Sequence, residues 1–253
     1  MSNVSIIALK EIRTYFASPM AYVVAAAFLA ITGFFFVASV SDAFSEASIR
    51  GFLAGAIFFM IFMAPALTMR LLAEEQKLGT LELLLTSPLR EVEIVFGKFL
   101  ASFTMVLIMA AVSLYFVLVL FIYGVPDIGP ILTGYLGLML YAGAALSVGL
   151  FASALSPNQI VGLVVGAGIL TTLTIIDFIS NRLSGIAAEV LNGFQLGASF
   201  SVFDLDSFGV AESGHFADFA RGIISVPDIS YYLSLTVVFL FLTVVVLEIR
   251  RWR

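Results

Sequence analysis

Six stretches of this sequence are apolar throughout their interiors: Met20–Val40, Gly51–Met69, Phe99–Tyr123, Ile131–Leu155, Ile160–Ile176 and Tyr231–Leu247. Charges stand only at their edges. A helix rises about 1.5 Å per residue, so about 20 residues cross the roughly 30 Å hydrocarbon core of a bilayer. The pattern predicts an all-α integral membrane protein with six transmembrane helices. The balance of residues agrees: 61% of the chain is hydrophobic and 11% charged, against about 25% charged in a soluble domain. Too few polar groups are present to cover a water-exposed surface of this size. With 253 residues, six spans leave no room for a large extramembrane domain, so residues 1–253 read as a single transmembrane domain. The first block is longer than the roughly 7–15-residue core of a signal sequence, and reads as a retained span.

Lys and Arg counts orient the spans, because loops on the cytoplasmic side are enriched in both. With the N-terminus inside, Lys10, Arg13, Arg70, Lys77, Arg90, Lys98, Arg250, Arg251 and Arg253 lie on the cytoplasmic side, and Arg50, Arg182 and Arg221 outside. Nine against three puts both termini in the cytoplasm. Acids concentrate between the last two spans (Glu189, Asp204, Asp206, Glu212, Asp218, Asp228), which explains a net charge of −5 on a positive-inside protein.

Residues 1–18 form a separate element. On a helical wheel Ile6, Leu9, Ile12 and Phe16 share a side, Lys10, Glu11 and Thr14 face away, and Arg13 sits at the boundary. This predicts an interfacial helix on the cytoplasmic membrane surface, ended by Ser18-Pro19. The outer segment 178–230 is too long for an unstructured connection. Leu183, Ile186, Val190, Leu191 and Phe194, and then Phe216, Phe219, Ala220 and Ile223, recur at helical spacing. Two short amphipathic helices pressed back onto the outer membrane surface, or dipping into it, are expected.

Segment 70–98, between the second and third spans, holds the densest charge. Glu74, Glu75, Gln76 and Lys77 predict a solvated turn or short helix, Gly79-Thr80 a break, and Leu81, Leu84 and Leu85 an apolar ridge with Glu82 on its flank. Ser87-Pro88 reads as a helix restart, with Ser as cap and Pro at the first helical position. Glu91 and Glu93 then occupy the first turns, where the helix dipole favours anions. Such a segment is either a solvated topology anchor or a docking element for a partner.

The stretch EEQKLGTLELLLTSPLREVEIVFGK (Glu74–Lys98) resembles the signature of ABC-2-type transporter permeases. KEIRTYFASPMAYVV near the start, GLFASALSPNQIVG (Gly149–Gly162), RGIISVPDISYYLS (Arg221–Ser234) and the terminal RRWR are similar to the gliding-motility-associated subgroup. The resemblance implies a coupling helix after the second span that docks on an ABC ATP-binding subunit. It assigns the contact to Glu74, Glu75, Gln76, Lys77, Leu78, Gly79, Thr80, Leu81 and Glu82. It also implies a bacterial inner-membrane location and a second permease, either a copy of this chain or a paralogue. The subunit would be non-catalytic, with no cofactor in this chain and ATP and magnesium held by the ATPase. No nucleic-acid partner is implied. GLVVG has the GxxxG spacing that lets helices approach closely. The resemblance offers Gly162 and Gly166 to a subunit interface, the alternative being packing within the chain.

Other chemistry finds little support. No G-x-x-x-x-G-K-[ST] phosphate loop is present. Cysteine is absent and His215 is the single histidine, so a metal or catalytic centre lacks ligands. Asp204 and Asp206 read as a solvated pair. Asp177, at the outer edge of the fifth span, is the nearest approach to an intramembrane charge, whereas ion-coupled carriers keep such groups near mid-membrane. Pro65 is expected to kink the second span. The expected function is the membrane subunit of an ATP-driven exporter. A force-transmitting complex without cargo, an ATP-independent carrier and a membrane scaffold are the alternatives.

Overall fold

In the computed structural model, residues 3–41, 48–81, 89–180, 193–196 and 214–251 are described. They form α1 (Asn3–Ala17), α2 (Pro19–Val40), α3 (Arg50–Lys77), α4 (Glu91–Tyr123), α5 (Ile128–Leu155), α6 (Gln159–Ser180), α7 (Ala217–Arg221) and α8 (Val226–Arg251). No strand occurs among the described residues. Six helices, α2 to α6 and α8, are long and apolar enough to cross a membrane. They coincide with the six apolar blocks.

Helix boundaries follow local chemistry. Ser18, in an extended conformation, separates α1 from α2, and Pro19 occupies the first helical position, where its missing N–H leaves no bond unmade. The Asp127 carboxylate accepts from the Gly129 N–H at 3.1 Å and caps α5, and Asn158 does the same for α6 through the Ile160 N–H at 3.0 Å. The start of α4 differs from expectation. The helix begins at Glu91, and Glu93 reaches back to accept from the Arg90 N–H at 3.0 Å. That reach supplies the cap which Ser87 was expected to provide; Ser87 and Pro88 lie outside the described residues.

The centre of the bundle is α3 packed on α5, with α2, α6, α4 and α8 around them. Small residues permit the close approach. A side chain at Gly149 of α5 would run into the Thr68 hydroxyl and lie 3.2 Å from the Ala64 carbonyl. Pro65 sits at this crossing, and α3 continues through it to Lys77. Outward faces of the surrounding helices remain apolar and exposed, as at Phe34, Val37, Leu107, Leu118, Val164, Val237 and Phe241. In water such a belt would be a liability; in lipid it is the solvated surface.

Polar contacts gather at the two ends. At one, Gln76 donates to the Ala154 carbonyl, Arg250 to the Leu155 carbonyl, and Arg251 pairs with Glu91 at 2.6 Å. At the other, Arg50 donates to the Ala220 carbonyl, Thr133 to the Phe219 carbonyl, Tyr231 to the Phe194 carbonyl and Tyr232 to the Leu196 carbonyl.

Two amphipathic elements are corrected by the fold. The second expected outer helix is only α7, of five residues, and its aromatic face packs into the protein and not onto the membrane. Phe216 and Phe219 are fully buried, with the Phe219 ring where a side chain on Gly137 of α5 would stand. Phe216 meets Tyr141 edge-on and Phe219 packs on Tyr232. Ile223, assigned to the same face, is exposed. His215 stacks on Tyr231 and bonds Asp228 at 2.6 Å, so it fastens this cap to α8. Leu183, Ile186, Val190 and Leu191, with Glu189, Asp204, Asp206 and Glu212, lie outside the described residues. The second correction concerns α1. Ile6, Leu9 and Phe16 do face outward, but Glu11, expected to face water, is buried with Ile7, Ala8 and Tyr15 against the bundle.

Candidate functional site

Helix α3 runs on for eight residues past the apolar block that ends at Met69. Neighbouring elements explain why it does so. Ser153 of α5 donates to the Met69 carbonyl at 2.8 Å and accepts from the Leu72 and Ala73 N–H groups at 3.2 and 3.1 Å. Leu71 and Leu72 are buried, so this turn still belongs to the packed interior. The helix ends at Leu78, whose N–H bonds the Glu74 carbonyl at 2.9 Å, while the Gly79 N–H bonds the Gln76 carbonyl at 3.3 Å. Gly79 has φ +70°, the left-handed stop that glycine adopts without steric cost.

This tip divides the expected docking residues into two sets. Glu74, Lys77, Leu78, Gly79 and Thr80 are exposed, and Leu78 presents 66% of its surface. The other set turns inward. Glu75 pairs with the buried Lys98 of α4 at 2.8 Å, Gln76 donates to Ala154 at 3.0 Å, and Leu81 is 5% exposed. Glu82, Leu84 and Leu85 lie outside the described residues. The solvated turn or short helix expected at Glu74–Lys77 is thus the last turn of a long helix, with one carboxylate outside and its neighbour turned inward.

Lys98 is the hub of the inner set. Its ammonium meets Glu11 of α1 at 3.0 Å, Glu75 at 2.8 Å and the Leu71 carbonyl at 2.7 Å, and its side chain is 1% exposed. Lys10 stands 3.7 Å from Glu11 and 3.6 Å from Glu75, so two cations face two anions. Around this hub α1 is fastened at several further points. A side chain on Gly97 would overlap Ile7, which brings α1 against the α4 backbone. Asn3 bonds Glu93 at 3.1 Å. Tyr15 donates to the Leu67 carbonyl at 2.6 Å, and Arg70 lies over its ring while bonding Ser18 at 2.9 Å. Burial pushes the Tyr15 phenol up, with Arg70 opposing, so the hydroxyl stays protonated and donates. Between α1 and the tip a cleft of about 490 Å³ opens, lined by Lys10, Glu11, Thr14, Arg70, Glu74 and Glu75 among others.

Gly162 and Gly166 are both buried. A side chain on Gly162 would lie 3.4 Å from Ser153 of α5, and one on Gly166 3.2 Å from Pro65 of α3. Their capacity for close approach is used within the chain, on the two central helices.

Comparison with known proteins joins these features. The sequence model of the ABC-2 family transporter proteins matches residues 37–192, from the end of α2 through α6 and across the α3 tip. The chain belongs to the ABC-2 family. It is therefore a multi-pass membrane permease subunit of an ABC transporter, a family that works with an ATP-binding partner. No curated protein matched the permease. The match leaves out α1, so the Lys98 hub joins two helices inside the family region to one outside it.

The hub escaped sequence reasoning because its members lie 27 and 87 residues apart. One signal was available. Lys98 directly precedes the third apolar block, at a depth where an ammonium needs a partner or a route to water.

Proposed function

We propose that the exposed α3 tip is the coupling element of this permease, and that Glu74, Lys77, Leu78 and Thr80, continued by Glu82, meet the ATP-binding subunit. The observation that supports this most is the tip itself. An exposed leucine beside two exposed charges, Glu74 and Lys77, on a helix end braced from two sides, matches the core-and-rim composition of a protein interface. The Lys and Arg asymmetry supports a cytoplasmic position for this end, with both termini inside and the membrane that of a bacterial cytoplasm. ATP and magnesium belong to the partner. Binding and hydrolysis there would shift this chain between states through differential contacts at the tip, driving export or mechanical work outside. A second permease, identical or paralogous, would complete the membrane unit, and the five matching sequence stretches favour the gliding-motility-associated subgroup.

Association of the ATP-binding subunit tests this directly. Lys77→Glu with Leu78→Asp should abolish its co-purification, since an apolar anchor is lost and like charges at an interface cost several kcal/mol. Val125→Asp, at the opposite end and 98% exposed, should leave association intact. Full recovery of the partner with the tip variant would remove this surface from the docking site.

A further inference from the structure

We infer that Glu75 and Lys98 are positioning residues which lock the α3 tip, α1 and α4 into one rigid body, so that displacement of the tip is carried into α4. The proposal rests on the docking reading for the source of the displacement. The lock itself stands on geometry.

An ammonium has three N–H donors. Those of Lys98 face three acceptors, and none of these belongs to its own helix: Glu11 of α1, and Glu75 and the Leu71 carbonyl of α3. Residues 71 and 75 stand one helical turn apart on the same side of α3. Gripping the carbonyl of one and the carboxylate of the other therefore resists rolling of the tip as well as its withdrawal. At 1% exposure the ammonium has no route to water. A tip that moves without α4 strips this ammonium of two of its three acceptors and leaves it Glu11 alone, so the two move together. Glu75 also faces Lys10, but at 3.6 Å and on a largely exposed side chain, so the close and enclosed partner that sets its orientation is Lys98. The second carboxylate oxygen of Glu75, Oε2, is buried without a hydrogen-bond partner, a cost that a solvent-facing rotamer would avoid. Glu74, one residue earlier, is exposed. Adjacent carboxylates thus have separate tasks: Glu74 for the partner, Glu75 for transmission.

Because the chain contains no cysteine, two introduced cysteines suffice for a distance measurement. Leu78→Cys on the tip and Val92→Cys on α4, both exposed, would carry spin labels in the full chain in lipid nanodiscs. In the permease alone the otherwise unmodified pair should give one narrow distance. Glu75→Ala should lose that single distance, and Glu74→Ala should keep it; in the cysteine-free chain with Leu78 intact, Glu75→Ala should still retain the ATP-binding subunit. Glu75→Ala leaves Lys98 its bonds to Glu11 and Leu71, which protects the fold. If it is not recovered folded, the milder Glu75→Gln should broaden the distance in smaller degree. A Glu75 variant with the unaltered distance, or equal broadening by Glu74→Ala, would overturn the lock. If the ATP-binding subunit fails to bind the unmodified tip, the docking reading falls, and the nanodisc measurement on the permease alone still decides this one.

Discussion

At the scale of single residues, burial separates side chains that look alike in sequence. Lys98 and Lys77 are both lysines near a span boundary, yet Lys98 is enclosed and Lys77 exposed. Lys98→Met should therefore destabilise the permease by about 3 kcal/mol, because Glu11 and Glu75 lose their enclosed cation and keep only the exposed Lys10. Lys77→Met should change stability by no more than about 0.5 kcal/mol. Thermal unfolding of the two variants in the same detergent measures the difference, and equal midpoints would contradict the buried pairing. Tyr15→Phe is a subtler probe. It deletes the 2.6 Å bond to the Leu67 carbonyl and should cost about 1 kcal/mol. The wheel of α1 showed that Glu11 was polar and its neighbours apolar. It could not show that a cation 87 residues away would draw Glu11 into the protein.

At the scale of elements, crossing points are set by glycine. Gly149→Val would force its branches against Thr68 and the Ala64 carbonyl, separating α3 from α5. We expect a loss of about 1–3 kcal/mol or more. Gly168→Ala on the outward face of α6 meets nothing within 4 Å and should be tolerated. Folded yield from gel filtration distinguishes the two, and equal yields would mean that the α3–α5 crossing is looser than its geometry. The spans themselves were legible in sequence, since twenty uncharged residues have few other fates. Their ends were less so. Helix α3 outlasts its apolar block because Ser153, Ala154 and Lys98 satisfy its last turns, and those partners lie on other helices. The GxxxG spacing of Gly162 and Gly166 was visible, whereas its partner was not: spacing says that a helix can approach, and only the fold says which one. Phe219 teaches the same lesson at the other end. Its amphipathic setting suggested a membrane surface, but Gly137 opens a seat for the ring in α5. Phe219→Ala should accordingly cost about 3–5 kcal/mol, as a core residue does, and a negligible change in unfolding midpoint would return it to the membrane surface.

At the scale of the whole molecule, the two ends of the bundle differ in kind. One is fastened by charges, through Lys98, Arg251 and Arg250, and presents the tip. The other is closed by aromatic rings and carbonyl bonds around α7. Single cysteines at Leu78, Asn158 and Arg251 should all react from the cytoplasm, and one at Asp127 from the opposite face. Membrane-impermeant maleimides applied to right-side-out and inverted vesicles read this, and reaction of Leu78 with reagent outside would invert both topology and docking. The central seam has a consequence for anything that travels. Where Gly149 meets Thr68 and Gly166 meets Pro65, the described helices touch closely and leave no lumen between them. A passenger cannot thread between α3 and α5. A passenger, if this chain carries one, would have its lane along the perimeter of these helices. Were its outer wall a second subunit, such a lane would exist only while the two stay together.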